Sequence, residues 1–243
     1  MRLLVVGAGA MGQWFAESVA TGDDDVSFVD TDRATAQNAA AAVGGRALTP
    51  PVEEPFDLVC LAVPMPAVAA VVEEYADCAT TAICDVTGSM REPVDAMRAA
   101  APDRERMSLH PLFAPENAPG NLAVVTDVDG PISETIRERL ATRDNDLVET
   151  TPAEHDEAME TVQASAHTAV LAFALAADDV PDAFQTPVSA SLFDLVEQVT
   201  DGEARVYADI QAAFDGADDV AAAAQEIADA DDETFVELYE ERQ

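Results

Sequence analysis

Short apolar segments alternate with helical segments through residues 1–150, and this alternation limits the possible folds more than any other feature of the sequence. The apolar segments are nearly continuous in Val, Leu, Ile and Ala, which is typical of strands buried on both faces. Strands that alternate with helices form a mainly parallel sheet covered by helices on both sides. We expect strands at 2–6, 26–29, 57–64, 81–86, 107–109, 121–125 and 146–149.

The sequence changes character after about residue 150, where no convincing strand pattern remains. The segment 153–178 carries apolar residues at helical spacing and is predicted as one helix. Further helices are expected at 187–200, 203–214, 217–229 and 232–241. The sequence therefore predicts an α/β domain over 1–150 and an all-helical domain over 151–243.

The charge balance is extreme, with 48 acidic residues against 12 basic ones and a net charge of −36. Such a chain repels nucleic acid and anionic membranes. In molar salt the Debye length falls to about 3 Å, which screens the repulsion within the chain. The composition is therefore typical of a protein from the cytosol of a halophile. All the basic residues are Arg, so chemistry that needs a lysine base or Schiff base is excluded.

Nothing in the sequence indicates a membrane or a metal. No segment approaches the roughly 18 apolar residues that span a bilayer, and the first apolar stretch lacks a signal-peptide pattern. We therefore expect a cytoplasmic protein. The three cysteines, Cys60, Cys78 and Cys84, form no CxxC motif, which predicts buried free thiols and no metal site.

A glycine-rich turn joins the first strand to the first helix. Gly7 permits a tight turn, Gly9 allows close approach of a pyrophosphate, and Gly12 lets the helix pack against the strand. The second strand ends at Asp30, whose carboxylate suits the ribose hydroxyls of NAD and repels the 2′-phosphate of NADP, although nearby Arg33 weakens this preference. The pattern predicts a Rossmann-type domain that binds NAD in preference to NADP. The predicted cofactor site also includes Ala10, Met11, Val63 and Pro64.

The three histidines fall at distinct places. His110 lies in "SLHPLFAP", where we expect a strand to end and a loop to begin. His155 and His167 lie on one predicted helix, about 18 Å apart, so at most one of them lines an active site. His155 has two acidic neighbours in the first turn, which indicates helix capping and local charge.

Four segments, in order, resemble the prephenate/arogenate dehydrogenase family. "DVTGSMREPV" (85–94) is similar to the family's Asp-x-x-Ser-x-Lys segment, and "HPLFAP" to its His-Pro-Met-Phe-Gly-Pro loop. "EHDEAMETVQASAH" resembles the family's His-Asp helix, and "VYADIQ" (206–211) a late helix of its dimerisation domain. Together with the glycine-rich turn, the resemblance covers nearly the whole chain.

The resemblance implies an oxidative decarboxylation in tyrosine biosynthesis, in which prephenate becomes 4-hydroxyphenylpyruvate. A hydride passes from the ring carbon to NAD, and the ring loses CO₂. By this analogy His110 takes the proton of the ring hydroxyl, Ser89 orients His110 or that hydroxyl, and His167 contacts the substrate. Arg91 replaces the family's Lys. Gln198 falls where the family has an Arg that binds a carboxylate, so prephenate and arogenate both stay open as substrates.

The resemblance also implies a homodimer built through the helical domain. We expect neither a fused chorismate mutase segment nor a regulatory domain. A hydroxyacid or imine reductase is a weaker alternative, since the hydroxyacid enzymes of this shape rely on a lysine. A non-catalytic NAD sensor is an alternative of another class. Gln198 favours the sensor, whereas His110, Ser89 and His167 together favour the enzyme.

Overall fold

The computed structural model describes residues 1–178 and 180–241, which form two compact units, Met1–Asp156 and a second that begins at Glu157. The division falls inside the first helix that follows the sheet. The first unit contains β1 (Arg2–Val6), α1 (Ala10–Val19), β2 (Asp25–Val29), α2 (Arg33–Val43), β3 (Arg46–Ala47), β4 (Phe56–Leu61), α3 (Val68–Tyr75), β5 (Ala79–Asp85), α4 (Arg91–Ala100), β6 (Glu105–Pro111), β7 (Asn121–Val128), α5 (Pro131–Ala141), β8 (Asp146–Glu149) and the start of α6 (Pro152–Met159).

The first unit is built on an eight-stranded sheet of order β3-β2-β1-β4-β5-β6-β7-β8. All neighbouring strands run parallel except β6 and β7. Helices cover both faces, because side chains alternate along each strand. In β1, Leu3 and Val5 face one core with Phe15 of α1, whereas Leu4 and Val6 face the other with Val68 of α3. The predicted mainly parallel, Rossmann-type sheet is confirmed.

The strand β6 is longer than the sequence predicted. We expected it to end at 109, with His110 in the loop. Instead it continues to Pro111, because the chain returns antiparallel as β7 and pairs His110 with Ala123 and Pro111 with Leu122. The short strand β3 was not predicted either. It consists of two residues paired with Ser27 and Phe28 at one edge of the sheet.

The second unit is helical. It contains the end of α6, a π-helix over Glu160–Ser165, α7 (Ala166–Ala176), α8 (Pro187–Thr200), α9 (Ala204–Ala213), α10 (Ala217–Asp229) and α11 (Asp232–Glu240). The single helix predicted for 153–178 is therefore wrong in detail, since a wider turn interrupts it. Within residues 1–178 and 180–241, no helix is long and apolar enough to cross a membrane.

Candidate active site

The turn after β1 has the shape of a phosphate-binding loop. Gly7 has φ +93°, and a Cβ there would collide with the backbone carbonyl of Ala62. A Cβ on Gly12 would collide with the carbonyl of Gly7, so α1 packs against the turn only because Gly12 has no side chain. Gly9 differs from both. A Cβ there would meet no described atom within 4 Å, so its backbone faces open space.

The first turn of α1 offers free N–H donors beside this open space. Gly9 is the N-cap and supplies no side-chain hydrogen bond to the helix. The donors of Ala10 and Met11, with the positive end of the helix dipole, suit the negative charge of a pyrophosphate. Val63 lies beside the turn, with its Cγ1 3.2 Å from the position of a Cβ on Gly7, and Pro64 is exposed next to it. These residues fit a dinucleotide.

Asp30 has a structural task in addition to the predicted one. Its Oδ2 accepts a hydrogen bond from the backbone N–H of Ala8 at 2.8 Å, and its Oδ1 accepts one from Asp32 N–H at 2.8 Å. The carboxylate thus ties the end of β2 to the glycine turn. Oδ1 also accepts from the Thr31 hydroxyl at 3.4 Å, whereas Oδ2 keeps a second lone pair, which suits a ribose hydroxyl. Arg33 is the first residue of α2 and is exposed.

A chain of three buried side chains is the main polar feature at the carboxyl end of β6. His110 lies on β6, and His155 and Asp156 lie in the first turns of α6. Nδ1 of His110 is 2.8 Å from Nε2 of His155, and Nδ1 of His155 is 2.8 Å from Oδ1 of Asp156. All three residues are buried, with exposed fractions of 7%, 3% and 8%.

The carboxylate fixes the direction of the hydrogen bonds along this chain. Ionised Asp156 only accepts, so Nδ1–H of His155 donates to it. Nε2 of His155 then carries a lone pair and accepts from Nδ1–H of His110. In this tautomer Nε2 of His110 is the basic ring nitrogen. The arrangement presets one tautomer of His110, as a base that takes a proton requires.

The charge states follow from burial and from the hydrogen bonds. Burial, together with the neighbouring His155, lowers the pKa of His110 below its ordinary value. Burial opposes ionisation of Asp156, but the hydrogen bonds from His155, Met90 and Arg91 outweigh it and lower the pKa of Asp156. At neutral pH the chain therefore holds neutral His110 beside an ionised carboxylate.

Asp156 also anchors the segment that follows β5. Its two oxygens accept the backbone N–H groups of Met90 at 3.0 Å and Arg91 at 3.1 Å. The guanidinium of Arg91 donates to the carbonyl of Ala153 at 3.1 Å and lies 3.9 Å from Asp156. Arg91, predicted to bind substrate, thus holds α6 against α4, and its half-exposed side chain still offers donors to a ligand.

Ser89 was predicted to orient His110 or the substrate hydroxyl. Its residue is buried, but its Oγ makes no hydrogen bond to any described residue. Its carbonyl oxygen lies 3.1 Å from the oxygen of the Thr87 hydroxyl, whose single proton is directed to Asp85 by the shorter contact. The partner that orients His110 through Nδ1 is His155. Among the described residues the Ser89 hydroxyl therefore makes no bond to His110, and its predicted role toward the substrate hydroxyl stays a prediction.

The remaining predicted substrate residues lie in the second unit. His167, on α7, is partly buried, and its ring meets that of Tyr207 edge-on with centroids 4.8 Å apart. Burial lowers the pKa of His167, and its buried Nδ1 has no hydrogen-bond partner within the described residues. Gln198 is exposed on α8.

The sequence interpretation missed His155 and Asp156 as members of the site. Two acidic neighbours made His155 resemble a helix-start residue. It does lie near the start of α6 and bonds to one neighbour, Asp156, but its other ring nitrogen also meets His110, which was not predicted. The signal was present, since "EHDEAM" carries adjacent His and Asp at the start of a helix. Among the described residues, no cluster of side chains suits a metal ion.

A dinucleotide-binding fold with a preset histidine base defines an oxidoreductase of the nicotinamide-dependent class. No family model matches the chain. It is 31% identical over 265 residues to the 4-amino-4-deoxyprephenate dehydrogenase of Streptomyces pristinaespiralis, and the match covers 98% of this chain and 88% of the relative. The chain therefore belongs to the prephenate/arogenate dehydrogenase family, as the resemblance of its motifs predicted.

Solved structures agree in fold. Prephenate dehydrogenase from Aquifex aeolicus, in complex with hydroxyphenyl propionate and NAD⁺, superposes with a TM-score of 0.73 at 13% identity, over 100% of this chain and 93% of that one. Synechocystis arogenate dehydrogenase gives a TM-score of 0.61 at 17% identity, over 94% and 90% of the two chains. At these identities the likeness is one of fold alone.

Proposed function

We propose that the protein catalyses the NAD-dependent oxidative decarboxylation of prephenate to 4-hydroxyphenylpyruvate. The observation that carries the proposal is the buried chain from His110 through His155 to Asp156, which presets a neutral base. These three side chains lie in the same unit as the phosphate-binding turn formed by Gly7, Gly9 and Gly12, which is called the glycine cradle below. Bound NAD⁺ supplies the acceptor for the hydride.

The proposed reaction couples three bond changes. Nε2 of His110 takes the proton of the ring hydroxyl while the hydride leaves the carbon that bears this hydroxyl, and a ring carbonyl forms. The bond between the ring and its carboxylate then breaks, CO₂ leaves, and the bonding electrons complete the aromatic ring. The phenolate oxygen takes the proton back from His110. Removal of the proton raises the electron density at the carbon that loses hydride, which is the purpose of a general base here.

A second candidate concerns the substituents of the substrate. The Streptomyces relative is named for a substrate with an amino group in place of the ring hydroxyl. Neutral Gln198, where a cationic side chain was expected, favours a substrate of lower net negative charge, such as arogenate, which carries an ammonium group where prephenate has a keto oxygen. The base chemistry of His110 serves all three compounds, since each carries an N–H or O–H at the reacting carbon.

The test is NADH formation in roughly 2–3 M KCl, where charge screening is nearly complete. Prephenate, arogenate and 4-amino-4-deoxyprephenate are offered separately, each with NAD⁺ and with NADP⁺. Turnover of prephenate with NAD⁺ supports the proposal. Turnover of only one of the other two compounds would identify that compound as the substrate and keep the proposed chemistry. Absence of NADH formation with all three compounds, from folded protein that binds NAD⁺, contradicts the proposal.

His110→Asn separates an enzyme from a non-catalytic sensor. The amide keeps the polarity of the side chain but cannot take the proton, so we expect kcat to fall by at least about 100-fold. Calorimetric titration should show unchanged NAD⁺ affinity, because His110 lies outside the glycine cradle. A variant that keeps more than about a third of the wild-type kcat would refute the assignment of His110 as the base.

We also propose a homodimer formed by the helical domain, 151–243. Three of its apolar side chains are strongly exposed in the single chain: Leu175 at 90%, Phe184 at 79% and Val188 at 73%. Exposed apolar surface of this kind is typical of an interface. Light scattering coupled to gel filtration in high salt tests this, with a monomer as the contradicting result. The proposed cellular location is the cytoplasm.

A further inference from the structure

Asp85 is a fully buried carboxylate whose hydrogen-bonding capacity is half unmet. It ends β5 with an exposed fraction of 0%. Its Oδ2 accepts from the backbone N–H of Thr87 at 3.0 Å and from the Thr87 hydroxyl at 2.5 Å. Its Oδ1 is buried and has no hydrogen-bond partner within the described residues. Burying an unpaired ionisable oxygen is costly, so this carboxylate needs an explanation.

The position of Asp85 places it on the same face of the sheet as the histidine chain. Asp85 pairs in register with Ser108 on β6, and His110 follows Ser108 by two residues. Residues two apart on a strand point to the same face. Asp85, Ser108 and His110 therefore share the face that α3 and α4 cover. His155 completes the group, since it contacts His110 and acts electrostatically on Asp85.

The environment of Asp85 makes its charge expensive. Burial raises the pKa of Asp85 to about 6, against the lowering effects of Thr87, Ser108 and His155. Asp156 lies beyond His155 and is itself satisfied by three donors. Two thiols also lie near Asp85, Cys84 beside it on β5 and Cys60 on β4, and the charge of Asp85 adds to burial and Cys84 in raising the pKa of Cys60. No cation in the first unit pairs with Asp85 in the described part of the chain.

We propose that Asp85 is a positioning residue that stabilises the positive charge of the histidine pair during the reaction. This inference rests on the proposed function. When Nε2 of His110 takes the substrate's proton, Nδ1–H of His110 passes to Nε2 of His155. The positive charge is then shared by the two rings, with Asp156 on one side and Asp85 on the other. In a buried site an ionised carboxylate that no cation pairs with interacts strongly with such a charge.

Asp85→Asn is the direct test. The amide oxygen still accepts from Thr87, whereas the charge is gone. We expect kcat to fall about 10- to 100-fold with KM changed by less than about two-fold, since the charge matters only after proton transfer. Because burial raises the pKa of Asp85 to about 6, we expect the acid limb of the wild-type kcat profile near that pH, and we expect it at lower pH in the variant. The variant should also melt at a higher temperature than the wild type.

The sign of the change in melting temperature of Asp85→Asn distinguishes a catalytic role of Asp85 from a purely structural one. Because the pKa of Asp85 is raised in the folded protein, wild-type stability falls as the pH rises from the ordinary carboxyl range to about 6. The gain in melting temperature of Asp85→Asn should therefore grow through this window and stay constant above it. If the role of Asp85 is purely structural, Asp85→Asn should be less stable than the wild type, and the pH profile of kcat should not change.

Asp127→Asn is the matched control. Asp127 is also little exposed, but it pairs with Arg98 at 2.6 Å and Arg106 at 2.7 Å, so its loss should lower the melting temperature and leave kcat unchanged. Thr87→Val gives a second readout. Loss of the hydroxyl donor raises the pKa of Asp85 further, so the acid limb should move to higher pH.

Three results would overturn the inference. They are a wild-type kcat in Asp85→Asn, a lower melting temperature for that variant, or failure of the variant to fold while Asp127→Asn folds. Turnover by the wild type is measured alongside. If the wild type turns over prephenate and Asp85→Asn equals it, only the role of Asp85 fails. If the folded wild type forms no NADH with any of the three substrates, the proposed function fails, and the inference fails with it.

Discussion

Asp156 holds three donors from two parts of the chain with a single carboxylate. It accepts from His155 and from the backbone of Met90 and Arg91, so it sets the tautomer of the histidine pair and fixes the start of α4 together. Both roles depend on a group that only accepts hydrogen bonds. An amide of the same shape must turn an NH₂ toward one of these donors, which leaves that donor unpaired.

We therefore expect Asp156→Asn to lose both activity and stability. The wrong tautomer of His155 should lower kcat by at least about 100-fold, and the unpaired donor should cost about 1–3 kcal/mol in the free energy of unfolding. Because the pKa of Asp156 is lowered in the folded state, its stabilisation is present at neutral pH and is lost as the pH falls through the folded value. The melting temperatures of variant and wild type should converge in acid, and a constant difference would contradict this account.

The role of a single residue could be predicted from the sequence where the local backbone geometry admits only one residue type. The roles of Gly7 and Gly12 were predictable because no other residue fits those positions. The role of His155 was not, because it depends on how the first turns of α6 meet β6. Helical spacing separates His155 from His167 but does not say which of them lies beside His110.

Among the elements, the π-helix Glu160–Ser165 stands out because neighbouring helices hold it in place. Gln211 of α9 donates to the carbonyl of Ala164 at 2.9 Å and accepts from the Thr168 hydroxyl at 3.0 Å. The Ser165 hydroxyl donates to the carbonyl of Glu160 at 2.9 Å. The wider turn changes the rotation of every residue after it, including His167, and side chains satisfy the backbone groups that it frees.

Gly216→Ala tests how tightly this turn is packed. Gly216 has φ +131°, and a Cβ there would lie 2.5 Å from the Ser165 hydroxyl oxygen and 2.6 Å from the Glu160 carbonyl oxygen. We expect a loss of about 2 kcal/mol or more in the free energy of unfolding, measured by denaturant titration in high salt.

Gly22→Ala serves as the control for this substitution. A Cβ on Gly22 would meet no described atom within 4 Å, so the change should stay within about 0.5 kcal/mol. Equal effects of the two substitutions would show that the π-helix is not constrained by α10.

The strands and most helices follow from hydrophobic patterning, and their limits do not. The end of β6 lies beyond the predicted 109 because pairing with β7, a contact distant in sequence, extends it to Pro111. The π-helix is invisible to a pattern based on regular turns, since it depends on Gly216 and Gln211, far along the chain. Local sequence therefore predicts which elements exist, and tertiary contacts decide where they end.

For the whole molecule, the most unusual contribution to stability is the electrostatic repulsion between its acidic side chains. With 48 acidic and 12 basic residues, most carboxylates have no cation available to them. At low ionic strength this repulsion acts over about 10 Å or more and opposes compactness. The order of strands and helices, by contrast, is readable from the apolar segments alone, because the core contains few of these charges.

We expect the melting temperature to rise by about 10 °C or more between roughly 0.1 M and 2 M KCl, as the Debye length falls to a few ångströms. Scanning calorimetry across a salt series measures this. Glycerol at matched osmolarity, which does not screen charge, is the control. A melting temperature that is flat in KCl, or that rises equally in glycerol, would contradict the electrostatic explanation.

Trp14 gives the enzyme an intrinsic fluorescence signal. Trp14 is the single tryptophan, it lies on α1 shortly after the glycine turn, and its ring meets that of Phe113 edge-on at 5.4 Å. Tryptophan emission overlaps the absorption of reduced nicotinamide. NADH bound in the cradle should therefore quench the tryptophan emission by energy transfer and emit its own fluorescence. Loading of the cofactor is thus visible without turnover, even in a variant that has lost its base.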